Sequence, residues 1–226
     1  MILITGASRG IGKYLFEKFI ESGETVFGTY NKTEPLGVNK NLLNCVQIEN
    51  ITSVQNWINS ISNKSNLTLI NCAGINYNCF SHKVDIKKWR KVIEVNLIGT
   101  FNVINILLPY MRLQGYGRII NLSSIVAQTG VIGTSAYAAS KAGLWGMSKS
   151  IAKENATKGI TINNLNLGYF NIGIIDDVPK IFQDKIKENI PNHSFGDPIN
   201  ILNSIKNIIS SPYINGTSID INGGLY

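Results

Sequence analysis

Two rhythms alternate along this chain. Strand-length, mostly apolar segments occur at residues 1–5, 25–30, 45–48, 67–70, 119–122, 161–166 and 216–221. Between them lie stretches whose apolar residues recur at helical spacing. Leu15, Phe16, Phe19 and Ile20 form one such face, and Gly23 is placed to end its helix. Val54, Trp57, Ile58 and Ile61 share a face of a helix over 53–61. A long helical region is expected over 84–112, and another runs to about 156 from Ser135, which would cap it. A last helix is expected over 199–210. Residues 169–197 break the rhythm; with Pro179, Pro191 and Pro198 and only a short helix near 178–189, they make a candidate lid.

Seven strands alternating with amphipathic helices predict an α/β fold, a doubly wound, Rossmann-like parallel sheet with helices on both faces. No repeat, low-complexity tract or linker interrupts it, so residues 1–226 are read as one domain. Sheets of this kind bind ligands beyond the C-terminal ends of their strands. The glycine loop after the first strand, the Asn71-Cys72-Ala73-Gly74 turn, Ser124 and Gly168 all fall at such ends.

Bulk composition narrows the class. The chain is 44% hydrophobic and 15% charged, which supports a sizeable core and argues against disorder. No apolar run approaches the roughly 20 residues that span a bilayer, so no membrane association is expected. Met1 leads straight into Ile2, Leu3 and Ile4 with no basic leader, so the expectation is a soluble, cytoplasmic protein. Cys45, Cys72 and Cys79 show no paired spacing and read as reduced thiols. His82 and His193 stand apart from any carboxylate or cysteine cluster, so no metal site is expected. The net charge of +7 comes from Lys and Arg scattered at helical spacings, without a basic block interleaved with aromatics. That pattern reads as a solvated surface, not a nucleic-acid face.

The chemistry concentrates at two places. Gly6, Gly10 and Gly12 sit between the first strand and the first helix, where glycines let the backbone approach a pyrophosphate at a helix N-terminus. The second strand ends in Tyr30-Asn31-Lys32, with no carboxylate for ribose hydroxyls. Lys32, with Arg9 in the glycine loop, could instead face a 2′-phosphate, which favours NADP(H) over NAD(H). The second place is 119–141. A strand delivers Ser123 and Ser124, and the following helix carries Tyr137 and Lys141 on one face, a turn apart. A phenol titrates near 10, and a neighbouring ammonium is expected to lower that value toward acid–base work on a carbonyl oxygen. Asn96, flanked by Val95 and Leu97, reads equally as a helix-bending structural amide or a catalytic one.

Together these residues resemble the short-chain dehydrogenase/reductase family, in its single-domain branch, over essentially the whole chain. Thr5 to Gly12 is similar to the family's cofactor loop, Asn71-Cys72-Ala73-Gly74 to its NNAG motif, and Tyr137 to Lys141 to its YxxxK. Ser124 stands thirteen residues before Tyr137, as the family serine commonly does. The resemblance implies a catalytic set of Asn96, Ser124, Tyr137 and Lys141. Ser124 and Tyr137 would hold the carbonyl, Tyr137 would give the proton, Lys141 would contact the nicotinamide ribose, and Asn96 would hold a relay water. Cofactor contacts are implied for Gly6, Ser8, Arg9, Gly10, Ile11, Gly12, Asn31, Lys32, Asn71, Ala73, Gly74, Tyr137, Lys141 and Gly168. Asn50 and Ile51 fall where adenine contacts would lie. Departures are Leu167-Gly168 in place of Pro-Gly, Ile172 in place of a phosphate-binding threonine, and Asn222-Gly223-Gly224 in place of DGG. The cofactor loop and the Tyr137 helix look like those of 3-oxoacyl carrier-protein reductases. The implied substrate is therefore an acyl-thioester carbonyl, with a sugar or other small polar carbonyl as the rival, and a non-catalytic cofactor sensor as the reading from another class. The family also implies a homodimer or homotetramer through the long helices.

Overall fold

The computed structural model describes residues 1–226 except Leu36, Val38, Ile174, Asp176 and Asp177, the last three of which fall within the stretch read as a lid. Strands β1 (Ile2–Thr5), β2 (Val26–Tyr30), β3 (Leu43–Cys45), β4 (Thr68–Asn71), β5 (Gly117–Ser124), β6 (Ile160–Leu167) and β7 (Ser218–Ile221) form one sheet in the order β3-β2-β1-β4-β5-β6-β7. Every neighbouring pair is parallel. Strand order reverses between β1 and β4, so the loops leaving these two strands diverge and open a crevice.

Side-chain parity explains the two layers. Leu3, Leu69, Ile119 and Ile162 point to one face, against Trp57 and Ile58 of α2 (Ile51–Ser60), Val103 and Leu107 of α4 (Thr100–Gln114) and Ile151 of α6 (Ser135–Asn155). Their sequence neighbours Ile2, Ile4, Ile70 and Ile120 point to the other face. There they meet Leu15, Phe16 and Phe19 of α1 (Gly10–Glu21) and Ile201 and Ile205 of α8 (Pro198–Ser210). Parallel strands covered on both faces are apolar at successive positions, which is why β1 and β4 read as unbroken runs.

The C-terminal halves of the central strands are polar on the α6 face. Asn71 donates to Asn121 (2.8 Å), Asn121 donates to Ser148 (3.1 Å) and Asn164 (3.3 Å), and Asn164 donates to Ser218 (3.1 Å). This buried ladder crosses four strands. Apart from Asn71 Oδ1, which is buried without a partner, the groups engaged in these bonds are spared the cost of about 1–3 kcal/mol that an unpaired buried amide carries.

Three element expectations need correction. The third strand lies at Leu43–Cys45, not 45–48. Val46 and Ile48 are buried under α2, so their apolar signal belongs to packing beyond the end of the ladder. The helix read over 84–112 is a rod of α3 (Ile86–Ile93), a π-helical stretch Glu94–Gly99, and α4. Asp85 caps it through Lys87 N–H (2.9 Å), and Gly115, at φ +65, ends it. By length and composition Ile86–Gln114 could cross a membrane, which reading run by run did not anticipate. More than half of its apolar window (56%) is buried in the fold, where Val103, Ile104, Leu107 and Met111 pack on the sheet. Finally, beyond the single-turn α5 (Val126–Thr129), Thr134 occupies the N-cap of α6, and Ser135 is its first residue and accepts from the Trp89 indole N–H at 3.2 Å. Over 169–197, a bridge between Phe170 and Gly196 closes a loop that holds α7 (Lys180–Asn189).

Candidate active site

A cleft of about 730 Å3 runs along the C-terminal edge of the sheet, within the size range of small-molecule and cofactor sites. At one end, Gly6, Ser8, Arg9, Gly10, Ile11 and Gly12 line it. Thr29 anchors this loop by accepting from Gly6 N–H (3.2 Å), and its carbonyl accepts from Ala7 N–H (2.7 Å). Gly12 has no room for a side chain: a Cβ there would collide with the Gly6 carbonyl oxygen. Helix α1 begins with no side-chain cap and no acidic residue in its first turn, so its first N–H groups and positive dipole end are turned to the cleft without a counter-charge from the helix itself. An anionic diphosphate fits that environment.

The far wall of this end differs from expectation. Asn31 and Lys32 line the cleft, with Tyr30 and Thr33 beside them. Asn50 and Ile51 do not. The Asn50 side chain caps α2 by accepting from Ser53 N–H at 3.1 Å, and Ile51, half exposed, starts that helix. Ile48 and Glu49 take their place in the wall. Glu49 pairs with Lys91 at 3.0 Å, and its second carboxylate oxygen is buried without a protein partner. Sequence reading missed Glu49 and Lys91 because they meet only when the α3 rod is laid over the β3–α2 turn.

At the other end the reactive groups converge. Ser124 ends β5 and accepts from Val126 N–H at 3.2 Å, while its hydroxyl is hydrogen-bonded to Tyr137. The Lys141 ammonium lies 5.7 Å from the centroid of the Tyr137 ring and donates to the Leu122 carbonyl at 2.6 Å. Ser123 points the other way: it donates to the Lys141 carbonyl (3.1 Å) and accepts from the Trp145 indole N–H (3.0 Å), which ties α6 to β5. The adjacent serines thus divide the labour, Ser124 to the cleft and Ser123 to the helix.

Asn96 and Asn71 stand behind the wall. Asn96, fully buried in the π-helical stretch, accepts from Ile75 N–H (2.8 Å) and donates to Ile75 carbonyl (2.9 Å) and Ser140 hydroxyl (3.1 Å). Both amide hydrogens are therefore engaged, and the side chain holds the turn after β4 in place. That positioning role differs from the implied grip on a relay water. Asn71 is committed to the amide ladder, whereas Ala73 and Gly74 face the cleft. A Cβ on Gly74 would come 3.4 Å from Asn96 Oδ1 and 3.7 Å from Lys141 Nζ, so this turn lies in van der Waals reach of both side chains. Gly168 also lines the cleft, and a Cβ there would meet the Asn222 backbone at 2.7 Å. The Asn222-Gly223-Gly224 segment therefore explains why position 168 stays glycine when the preceding proline is gone.

Electrostatics reverse one expectation. Burial pushes the Tyr137 phenol above its ordinary value, opposed only in part by the Ser124 hydrogen bond. Burial also pulls the Lys141 ammonium down from 10.5 to about 8, opposed by the nearby Cys72 thiol, itself pushed up to about 12 by burial. Removing phenolate and ammonium from water penalises both charged forms, and this outweighs the lysine's pull on the phenol. The free protein at neutral pH therefore presents a protonated phenol, poised to donate to a carbonyl oxygen held by Ser124.

Comparison with known proteins agrees with this geometry. A family model described as short chain dehydrogenase matches residues 1–180. The chain is 33% identical to a 3-oxoacyl-[acyl-carrier-protein] reductase of Aquifex aeolicus and 35% identical to one of Vibrio harveyi, each covering 99% of this chain and 96% of the relative. It is 34% identical to an acetoacetyl-CoA reductase of Rhizobium meliloti, over 99% of this chain and 97% of that protein. With its parallel seven-stranded sheet and a tyrosine, lysine and serine gathered beside a glycine loop, this chain belongs to the short-chain dehydrogenase/reductase family and is an oxidoreductase of the nicotinamide-dependent kind.

Proposed function

We propose that this protein reduces the ketone of a 3-oxoacyl thioester, using NADPH. The observation that carries this reading is the convergence of Ser124, Tyr137 and Lys141 at one end of a cleft whose other end is an uncapped helix N-terminus. When bound, the dihydronicotinamide supplies the hydride. Ser124 holds the ketone oxygen, Tyr137 donates the proton to it, and Lys141 lies where it meets the ribose. Gly6, Gly10 and the first N–H groups of α1 receive the diphosphate. The names of the relatives, both carrier-protein and coenzyme A thioester reductases, support the substrate class.

The preference for NADPH rests on Arg9, in the glycine loop, and Lys32, just past β2, which both line the cleft, and on a β2 end (Tyr30, Asn31, Lys32) that carries no carboxylate. Glu49 is already paired with Lys91. Lys32→Ala is expected to weaken NADPH about tenfold, the scale of one charge-assisted contact, and NADH by less than about twofold. Equal losses in a fluorescence titration would remove the 2′-phosphate assignment. Gly12→Ala is expected to weaken both cofactors by at least about tenfold, because the Gly6 backbone must shift to admit the methyl; unchanged titrations would detach the loop from cofactor binding.

The substrate is tested by NADPH oxidation with acetoacetyl thioesters set against keto-sugars. Faster turnover of the thioesters is expected, and the reverse order would move the assignment to a polar carbonyl. Ile98 and Phe101, exposed on the rod of α3 and α4, fit association of copies through that rod as a dimer or tetramer.

A further inference from the structure

Next to the catalytic end of the cleft lies a second, smaller cavity of about 140 Å3. Its walls are Ile125, Val131, Tyr169, Ile186 and Leu225. Val131 and Tyr169 also line the main cleft, so the two spaces share a boundary. Ile125 directly follows Ser124, which sets the side cavity immediately beyond the position of a ketone oxygen. The two remaining lining residues turn polar groups toward the backbone: the Thr129 hydroxyl donates to the Ile125 carbonyl (3.2 Å) and the Asn189 amide to the Lys185 carbonyl (3.0 Å). What is left facing the cavity is mostly aliphatic and aromatic carbon.

Such a space suits a hydrocarbon and offers little to a sugar. An apolar cavity of about 150 Å3 takes up benzene, six carbons. We propose that this side cavity seats the alkyl tail of the substrate, on the side of the ketone away from the thioester, and that it limits the tail to about six carbons. The proposal rests on the thioester-reductase reading and adds its chain-length class. Ile186 of α7 and Leu225 after β7 form the outer wall, and neither lines the cleft that holds the reacting groups. The length limit is therefore set by side chains outside the cleft that Ser124 and Tyr137 line.

The test is a series of 3-oxoacyl N-acetylcysteamine thioesters from butanoyl to dodecanoyl. The kcat/KM is expected to rise about two- to fourfold per added methylene up to octanoyl, as each methylene leaves water, and then to level or fall. Ile186→Trp should return the octanoyl ester to the butanoyl value while leaving the butanoyl ester and NADPH binding unchanged. Ile186→Ala should move the maximum to longer chains. A flat series, or a maximum that ignores Ile186, overturns the cavity's role. Binding of saturated butanoyl and octanoyl thioesters, followed by calorimetry, separates the two claims. If no oxo-ester is turned over, the reductase reading falls, yet a tighter octanoyl ester that loses its advantage in Ile186→Trp still supports the cavity. Equal binding of both saturated esters overturns it.

Discussion

Tyr137→Phe is expected to lower kcat by about 10³-fold, within the range of a lost general acid, while NADPH binding stays within about twofold. Tyr137 gives its proton from a phenol that burial keeps protonated, so removing the hydroxyl removes the donor and leaves the ring in place. The ring itself stays against Lys141, and the fold loses one hydrogen bond to Ser124, worth about 1 kcal/mol. Turnover and stability should therefore separate. Steady-state kinetics with a cofactor titration and a thermal melt on the same preparation check this. Activity within about tenfold of the parent would assign proton donation elsewhere, with Ser124 the nearest hydroxyl.

Lys141→Met is expected to abolish most turnover, by about 10²-fold or more, yet to raise the melting temperature. The folded chain holds this ammonium at about 8 against an ordinary 10.5. Between those values the unfolded chain carries a proton that the folded chain has released, so stability rises with pH across that window. Below about pH 8 the buried charge is a standing cost of about 3 kcal/mol, since each tenfold weakening of proton binding corresponds to about 1.4 kcal/mol. Loss of the bond to the Leu122 carbonyl offsets part of that gain. A net rise of roughly 5 °C at pH 7 remains, at about 2–4 °C per kcal/mol for a chain of this size. In the parent, kcat/KM for the cofactor should fall through about pH 8 as Lys141 loses its proton. A melting temperature that drops in the variant, or a pH profile flat through 8, would show that the lysine is not strained by burial. A lysine retained against stability is the pattern of a functional site.

These two residues show how much of the site could be read from the chain. A turn of helix places Tyr137 and Lys141 on one face whatever the surroundings, because the spacing is a property of the helix alone. The same holds for the glycine loop, whose residues are contiguous. Asn50 and Ile51 lie outside the cleft lining for the opposite reason. Whether residues 48 and 49 or 50 and 51 face the cleft depends on where β3 gives way to α2, a boundary set by Val46 and Ile48 tucking under the helix. The direction in which the tyrosine's pKa moves was likewise out of reach, since proximity of a cation is visible in a spacing but dehydration is not.

Local pattern alone determined the number and order of the strands, the alternation with helices, the two-sided burial of the sheet and the glycine loop, serine, tyrosine and lysine at its C-terminal edge. Those features depend on periods of two and 3.6 residues, which the chain carries in itself. Tertiary structure decided what distant segments do to one another. It paired Glu49 with Lys91, turned Asn96 to the Ile75 backbone, buried Lys141 beside Tyr137 and shaped a half-open pocket between Ile125 and Ile186. Burial and long-range contact are sums over many segments, and they exist only once the sheet has brought those segments together.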